Sequence, residues 1–282
     1  MMKEMLIAIR ATARGLWRNR RVAVLLAALY VSLLGVLYLF ISTRESSVWQ
    51  VLLTLIFAAL VPLLFFILQA VAVGYAQGET KARVLLRRSF RDSCKLALAS
   101  LPLMLLAAVS VYLLNRFQLH SQLVLRLIEP ACPLLTLRWL ASAGEVRQWS
   151  PVLMATLRFL ILGIVLPLLA IHLWSGTMRD GLLPTLGSAR RTLALALSPP
   201  SVLIYTLGLT LFAIIPYFLL FGHTYATEAW LEVAFLVTRL LLIFLFNLYG
   251  WTFTVSALNQ RMKAATMKDD IRWKNEGDAV TA

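Results

Sequence analysis

The sequence predicts an all-α fold: a polytopic membrane helical bundle of about six transmembrane helices with basic amphipathic interfacial helices. Three observations predict it. Hydrophobic residues are 60% of the 282, and the mean hydropathy is +0.80, against roughly 45–50% apolar in a soluble domain. Charged residues, at 14%, are too few to solvate a globule of this size. The apolar residues also gather in runs of about 20, the length that crosses a bilayer core as helix.

In order, residues 1–21 place Lys3, Arg10, Arg14, Arg18 and Arg21 on one helical face, with Met5, Ile9, Ala13 and Leu16 towards the other. Such a basic amphipathic helix lies on an anionic surface with its arginines among the head groups. It leads into the first span, 22–41. That run is too long for a signal-peptide core and lacks a clean small-x-small cleavage site, so it reads as an uncleaved span. A polar turn, 43–47, precedes the second span, 48–73.

A second basic helix, Gly78–Lys95, follows. Arg83, Arg87, Arg91 and Lys95 recur every four residues, and Lys81, Arg88 and Lys95 every seven. Leu85, Leu86, Phe90, Leu96 and Ala97 fill the opposite arc, with Ser89 and Ser93 between. These basic residues, like Arg10, Arg14 and Arg18, are expected to contact anionic lipid. The helix runs almost without a turn into the third span, 96–114, whose Pro102 sits in the first turns, where a missing N–H costs least.

The connection Arg116–Ser150 is the longest. Its centre, 123–140, is apolar but carries Arg126, Glu129, Arg138, Pro130 and Pro133. Three charges and two prolines make a lipid-exposed crossing costly. Two short interfacial or re-entrant helices are expected, with a seventh crossing as the alternative. Spans four to six are 152–172, 201–221 and 231–255, with a short helix through Arg190 and Arg191 and a break at Pro199–Pro200. Residues 1–258 thus form one transmembrane domain. The tail, 259–282, alternates charges and is expected as a frayed helix or disordered.

There is a weak internal echo: Gly78-Glu79-Thr80-Lys81 recurs as Gly144-Glu145-Val146-Arg147, and Arg91–Pro102 matches Ala189–Pro200 in outline. Interfacial-then-spanning helices of this kind resemble those of the glycerophosphodiesterase membrane-domain proteins and related uncharacterised bacterial multi-pass families, over about residues 78–115 and 184–255. The resemblance implies a bundle of six or more helices and no particular role. The basic helix followed by six spans is also similar to ABC-2-type permease subunits. Their Glu-x-Gly-Thr coupling motif after span two is absent, with Gln77-Gly78-Glu79-Thr80 in its place.

Candidate chemistry is sparse. His120, His172 and His223 are far apart, Cys94 and Cys132 are expected on opposite sides of the membrane, and no H-E-x-x-H, G-x-S-x-G, Walker A or G-x-G-x-x-G occurs. No metal, cofactor or catalytic residue is expected. The informative residues are charges within spans, Arg158 and Arg239, with Glu232 seven residues before Arg239 and Asn247 eight after it. A charge at mid-bilayer costs roughly 2.5–3.5 kcal/mol on insertion scales. One reading is snorkelling plus an ion pair, most simply Arg239–Glu232, with Glu129 and Glu145 as competitors. The other is an outward-facing polar crevice for a lipid head group or small anion. The function expected is a non-enzymatic scaffold, assembly or accessory component among other membrane subunits. The alternative is a transporter or permease subunit, and a lipid-acting enzyme comes third.

Charge bias orients the chain. The N-terminal segment, the span two–three and four–five connections and the tail carry 20 Lys/Arg, against five in the other three connections. By the positive-inside rule both termini face the cytoplasm. Trp49, Trp139, Trp149 and Trp230 then fall on the outer side, Trp17, Trp174 and Trp251 on the inner. The net charge of +14 is topology charge, not a nucleic-acid footprint. A cytoplasmic reporter fused to the C-terminus should be active and a periplasmic one silent. The reverse result would mean that 123–140 crosses.

Overall fold

The computed structural model describes residues 14–15, 19–43, 47–128, 152–222 and 228–281, with side chains to residue 118 in the third helix and 265 in the last. Among them every regular element is helical: α1 Arg20–Ser42, α2 Val48–Ala76, α3 Ala82–Ile128, α4 Val152–Asp180, α5 Leu182–Gly187, α6 Ala189–Ala196, α7 Pro199–Phe221 and α8 Ala229–Thr281. Six are long and apolar enough to cross a membrane: α1, α2, α4, α7, and α3 and α8 over Ala82–Gln118 and Trp230–Ala265. These overlap all six expected spans. The protein is a multi-pass helical membrane bundle.

The basic segment after Gly78 runs into the third span as expected: from Ala82 onward the two are one helix, with no non-helical residue between. The face that helix buries differs from the expected one. Its buried stripe is Leu85, Ser89, Asp92, Ser93, Leu96 and Ala99, while Phe90 is exposed and Leu86 and Ala97 are only half-buried. The tail continues α8 as helix to Thr281, the helical one of the two alternatives expected for it. Most of 1–21, 129–151 and the echo at Gly144 lie outside the described residues.

The chain forms two compact units, Met1–Ala99 with Ile171–Ala282, and Ser100–Ala170. In the larger, α1 and α2 pack as a hairpin. The less exposed residues run Leu29, Leu33, Val36, Phe40 along α1 and Gln50, Thr54, Phe57, Val61, Leu64 along α2. They alternate four and three apart, the seam of a left-handed helix pair. At the other end of the hairpin the seam enters a core of Val22, Leu26, Leu68, Val71, Ala72, Leu85 and Leu248. There residues 67–74, 171–178 and 254–259 are buried on every side.

Small residues let the backbones meet. A Cβ on Gly74 would lie 2.9 Å from the Leu85 side chain and 3.7 Å from Met178. One on Gly250 would lie 3.1 Å from the Phe212 backbone nitrogen, and one on Gly208 would lie 1.9 Å from Thr254 Oγ1. Helix ends follow local chemistry. Gly78 at φ +107° closes α2: its N–H bonds Tyr75 at 2.9 Å while that of Glu79 reaches Gly74 at 3.3 Å, the double bond of a Schellman end. Gly181 at φ +95° closes α4 with a single bond to Thr177 at 3.1 Å.

Two helices widen before a proline. Phe159–Val165 in the smaller unit and Thr210–Ile214 in the larger are π-helical. Leu166 and Ile215 directly precede Pro167 and Pro216, and each donates to a carbonyl five residues back, Ile161 and Thr210. The proline ring crowds the carbonyl four residues earlier, and the wider turn removes the clash.

Thr254 Oγ1 is held to the Gly250 carbonyl at 2.7 Å and cannot retreat from Gly208. Gly208→Ala should therefore lower the melting temperature in detergent, at about 1–3 kcal/mol for overpacking. Thr254→Ala in the same chain should recover part of the loss.

Candidate functional site

The most polar part of the larger unit surrounds the C-terminus of α2. In lipid a helix end without partners for its carbonyls is costly. Here Asn259 Nδ2 donates to Ala76 O at 2.8 Å and Lys263 Nζ to Gln77 O at 3.1 Å, while Gln77 Nε2 donates to Ser175 O at 3.2 Å. The lysine also opposes the negative end of the helix dipole. One to two turns back, Trp251 Nε1 donates to Gln69 Oε1 at 2.8 Å, and the Trp251 ring stands edge-on to Phe212 at 5.3 Å. These bonds tie α2, α4 and α8 together through polar groups alone.

Beside this layer the αL end at Gly181 turns the chain back through α5 and α6. They enclose a cavity of about 80 Å³ against α4 and α8, lined by His172, Arg179, Asp180, Thr185, Arg191 and Met262 among others. It has room for a few waters or a small ion. Arg179 is forked onto its neighbour Asp180, Nε at 3.0 Å and Nη2 at 2.9 Å. Both are half-exposed, and such a pair adds little stability. Thr185 Oγ1 donates to Gly181 O at 2.7 Å and Ser188 Oγ to Thr185 O at 3.2 Å. These hydroxyls thus offer further groups only lone pairs. The lining thus carries two arginines and one aspartate. His172, read from sequence as an isolated histidine near the end of a span, is a buried part of this wall. Ser175 and Thr177 flank Gly176 with hydroxyls that are buried and without a hydrogen-bond partner among the described residues.

Of the basic residues expected at lipid, Arg14, Arg83, Arg87, Arg88, Arg91 and Lys95 are exposed, while Arg10 and Arg18 lie outside the described residues. Arg88 and Lys95 converge on Asp92, at 3.2 and 2.9 Å. Asp92 is only 3% exposed.

The intramembrane charges are held differently from the expectation. Arg239 Nη1 donates to the carbonyl of Gly222, just past the end of α7. Among the described residues no ion pair joins it to Glu232, which is exposed in the first turn of α8. Seven residues along a helix separate Cα atoms by about 10.5 Å, and a helix C-terminus accepts a cation closer at hand. Asn247 does not extend a stripe from Arg239; its Nδ2 donates to Ile243 O of its own helix at 3.1 Å. Arg158, in the smaller unit, donates from Nη2 to Asn115 Oδ1 at 2.6 Å and Gln118 Oε1 at 2.8 Å. The expected crevice residues are thus not gathered into one site within either unit. Glu129, Glu145, His223 and Cys132 lie outside the described residues, as does the side chain of His120. Cys94 is exposed.

No protein-family model matches the chain, and neither a curated protein nor a solved structure matches it.

Sequence reasoning passed over Asp92, Asn115, Gln118, Gln69, Asn259 and Lys263. Signals existed for some: Arg88 and Asp92 are four apart, and Gln69 interrupts an otherwise apolar stretch of α2.

Gln69→Leu strands the indole N–H of Trp251, at about 1–3 kcal/mol for a buried donor left unpaired. Trp251→Phe strands the amide in the same way. In detergent melts the double variant should lose clearly less than the sum of the two, the mark of direct coupling.

Proposed function

We propose that the protein is a non-enzymatic component of the cytoplasmic membrane, with both termini in the cytoplasm, that scaffolds or accompanies a larger assembly of membrane subunits. The observation that carries this reading is one-ended packing. No residue of 48–66 in α2 is buried, whereas all of 67–74 are; in α8 none with a described side chain from 230 to 247 is buried, whereas 254–259 are. The loosely packed halves present Leu52, Leu55, Val237 and Leu241 to their surroundings. In lipid, helices associate through packing and hydrogen bonds, without a hydrophobic drive between them. Half-bundles of this kind suit helices donated by other subunits. The exposed Arg83, Arg87 and Arg91 suit the anionic inner leaflet, at about 1 kcal/mol each.

A second reading, a transporter or permease subunit, is favoured by the cavity lined by His172, Arg179 and Arg191. Photocrosslinkers at Leu55 and Leu241 in native membranes separate the two. The scaffold reading expects discrete protein adducts from both positions. Lipid adducts alone, together with anion uptake by proteoliposomes that Arg191→Gln abolishes, would replace it with the second.

A further inference from the structure

Arg158 is oriented by its neighbours but not neutralised by them. It lies six residues into α4, about 9 Å along the axis from Val152, and directly precedes the π-helical turns. A guanidinium only donates, so Asn115 and Gln118 must both turn their amide oxygens to it. Those two residues are three apart on α3 and share a face. At 2.6 and 2.8 Å they occupy both hydrogens of Nη2. The Nε–H is buried and has no partner among the described residues.

Two neutral carbonyls leave the full positive charge in place, and Arg116, exposed beside Asn115, adds another. Among the described residues the ion pairs join Arg88 and Lys95 to Asp92 and Arg179 to Asp180, so no carboxylate answers Arg158 or Arg116. A charge held in place at the edge of an apolar segment, with a donor unmet and no counter-charge, is the protein half of an anion site. Its position suits one class of anion. The apolar run of α3 gives way after Leu114 to Asn115, Arg116 and Gln118, and that of α4 opens just after Ser150 and Pro151, so the cluster sits where the sequence of both helices turns polar. An arginine at this depth leans outward to the level of the head groups.

We propose that Arg158, oriented by Asn115 and Gln118, binds a phosphate oxyanion, supplied by the head group of an anionic phospholipid or by free phosphate. The phosphate oxygens take the Nη1 hydrogens of Arg158, and the phosphate's charge neutralises the guanidinium. Asn115 is exposed at the mouth of the site, and its amide hydrogens face away from the oxygen that Arg158 occupies. This site goes beyond the scaffold reading and does not depend on it.

The test uses the full chain, purified in detergent and followed by native mass spectrometry and thermal melting. Phosphatidylglycerol should remain bound through delipidation and raise the melting temperature, and Arg158→Gln should weaken its retention about tenfold or more. Inorganic phosphate alone producing the same Arg158-dependent shift would identify free phosphate as the source; phosphatidylglycerol acting where phosphate does not identifies the lipid. Asn115→Asp gives Arg158 a carboxylate within the protein. That variant should fold without added lipid and hold phosphatidylglycerol about tenfold or more weakly than the unaltered chain, which keeps the test decisive if Arg158→Gln fails to fold. Lipid retention unchanged in Asn115→Asp would overturn the proposal. So would a loss of stability in Glu129→Gln or Glu145→Gln equal to that of Arg158→Gln, since a loop carboxylate would then be the counter-charge.

Discussion

The last carbonyls of α2 lie beside the buried ends of α4 and α8, and the larger unit is arranged around closing them. A Schellman end at Gly78 takes up Gly74 and Tyr75. Ala76 and Gln77 still need donors, which arrive from Asn259 and Lys263 one turn apart on α8. Side-chain donors of that reach demand that α8 run close beside α2, and Gln77, bonding Ser175, demands the same of α4. The sequence at these levels is correspondingly small: Ala70, Ala72, Gly74, Ser175, Gly176, Ser256 and Ala257 are buried where the backbones converge. Packing density here is therefore a consequence of hydrogen-bond closure, since burial of apolar groups alone gives little drive within lipid.

Away from that end the same helices obey a weaker constraint. Their internal hydrogen bonds are already complete, so contacts there are set by side-chain seams alone, such as the one that pairs α1 with α2. The π-helical turns before Pro167 and Pro216 fit this economy. Each proline would leave a crowded carbonyl, and a widened turn restores a bond from the preceding residue without help from another helix. The Gly208–Thr254 and Gly250–Phe212 approaches show how α7 and α8 stay in register past such a turn.

Helix number and span limits were legible because membrane thickness acts on every residue of a run: 48–73 became Val48–Ala76 and 201–221 lies within Pro199–Phe221. The face of α3 was not. Helical periodicity separates Arg83 and Arg87 from Leu85, but in a multi-pass protein the protein-facing stripe is the polar one and lipid takes the apolar residues. Ser89, Asp92 and Ser93 accordingly turned inward and Phe90 outward. Partners of isolated charges were least legible. Glu232 was the nearest acid to Arg239 in sequence, yet the deciding acceptor was a backbone carbonyl of another helix, which no side-chain pattern encodes. The cavity beside His172 escaped for a related reason, since it is made by the reversal at Gly181 joining residues of α4, α5, α6 and α8.

The way cations are held follows from composition. Twenty-seven Lys and Arg face 13 Asp and Glu in the whole chain, so most basic groups cannot be answered by an acid. Asp92 serves two of them at once. Lys263 and Arg239 instead use carbonyls at or just beyond helix C-termini, which carry partial negative charge. Arg158 uses side-chain amides, which supply geometry but no comparable charge. A helix end is a fixed feature of the fold and compensates its cation permanently. An amide pair orients a guanidinium and leaves its charge for something outside the chain to meet. That difference distinguishes Arg239, which closes a helix, from Arg158, which is poised for an anion.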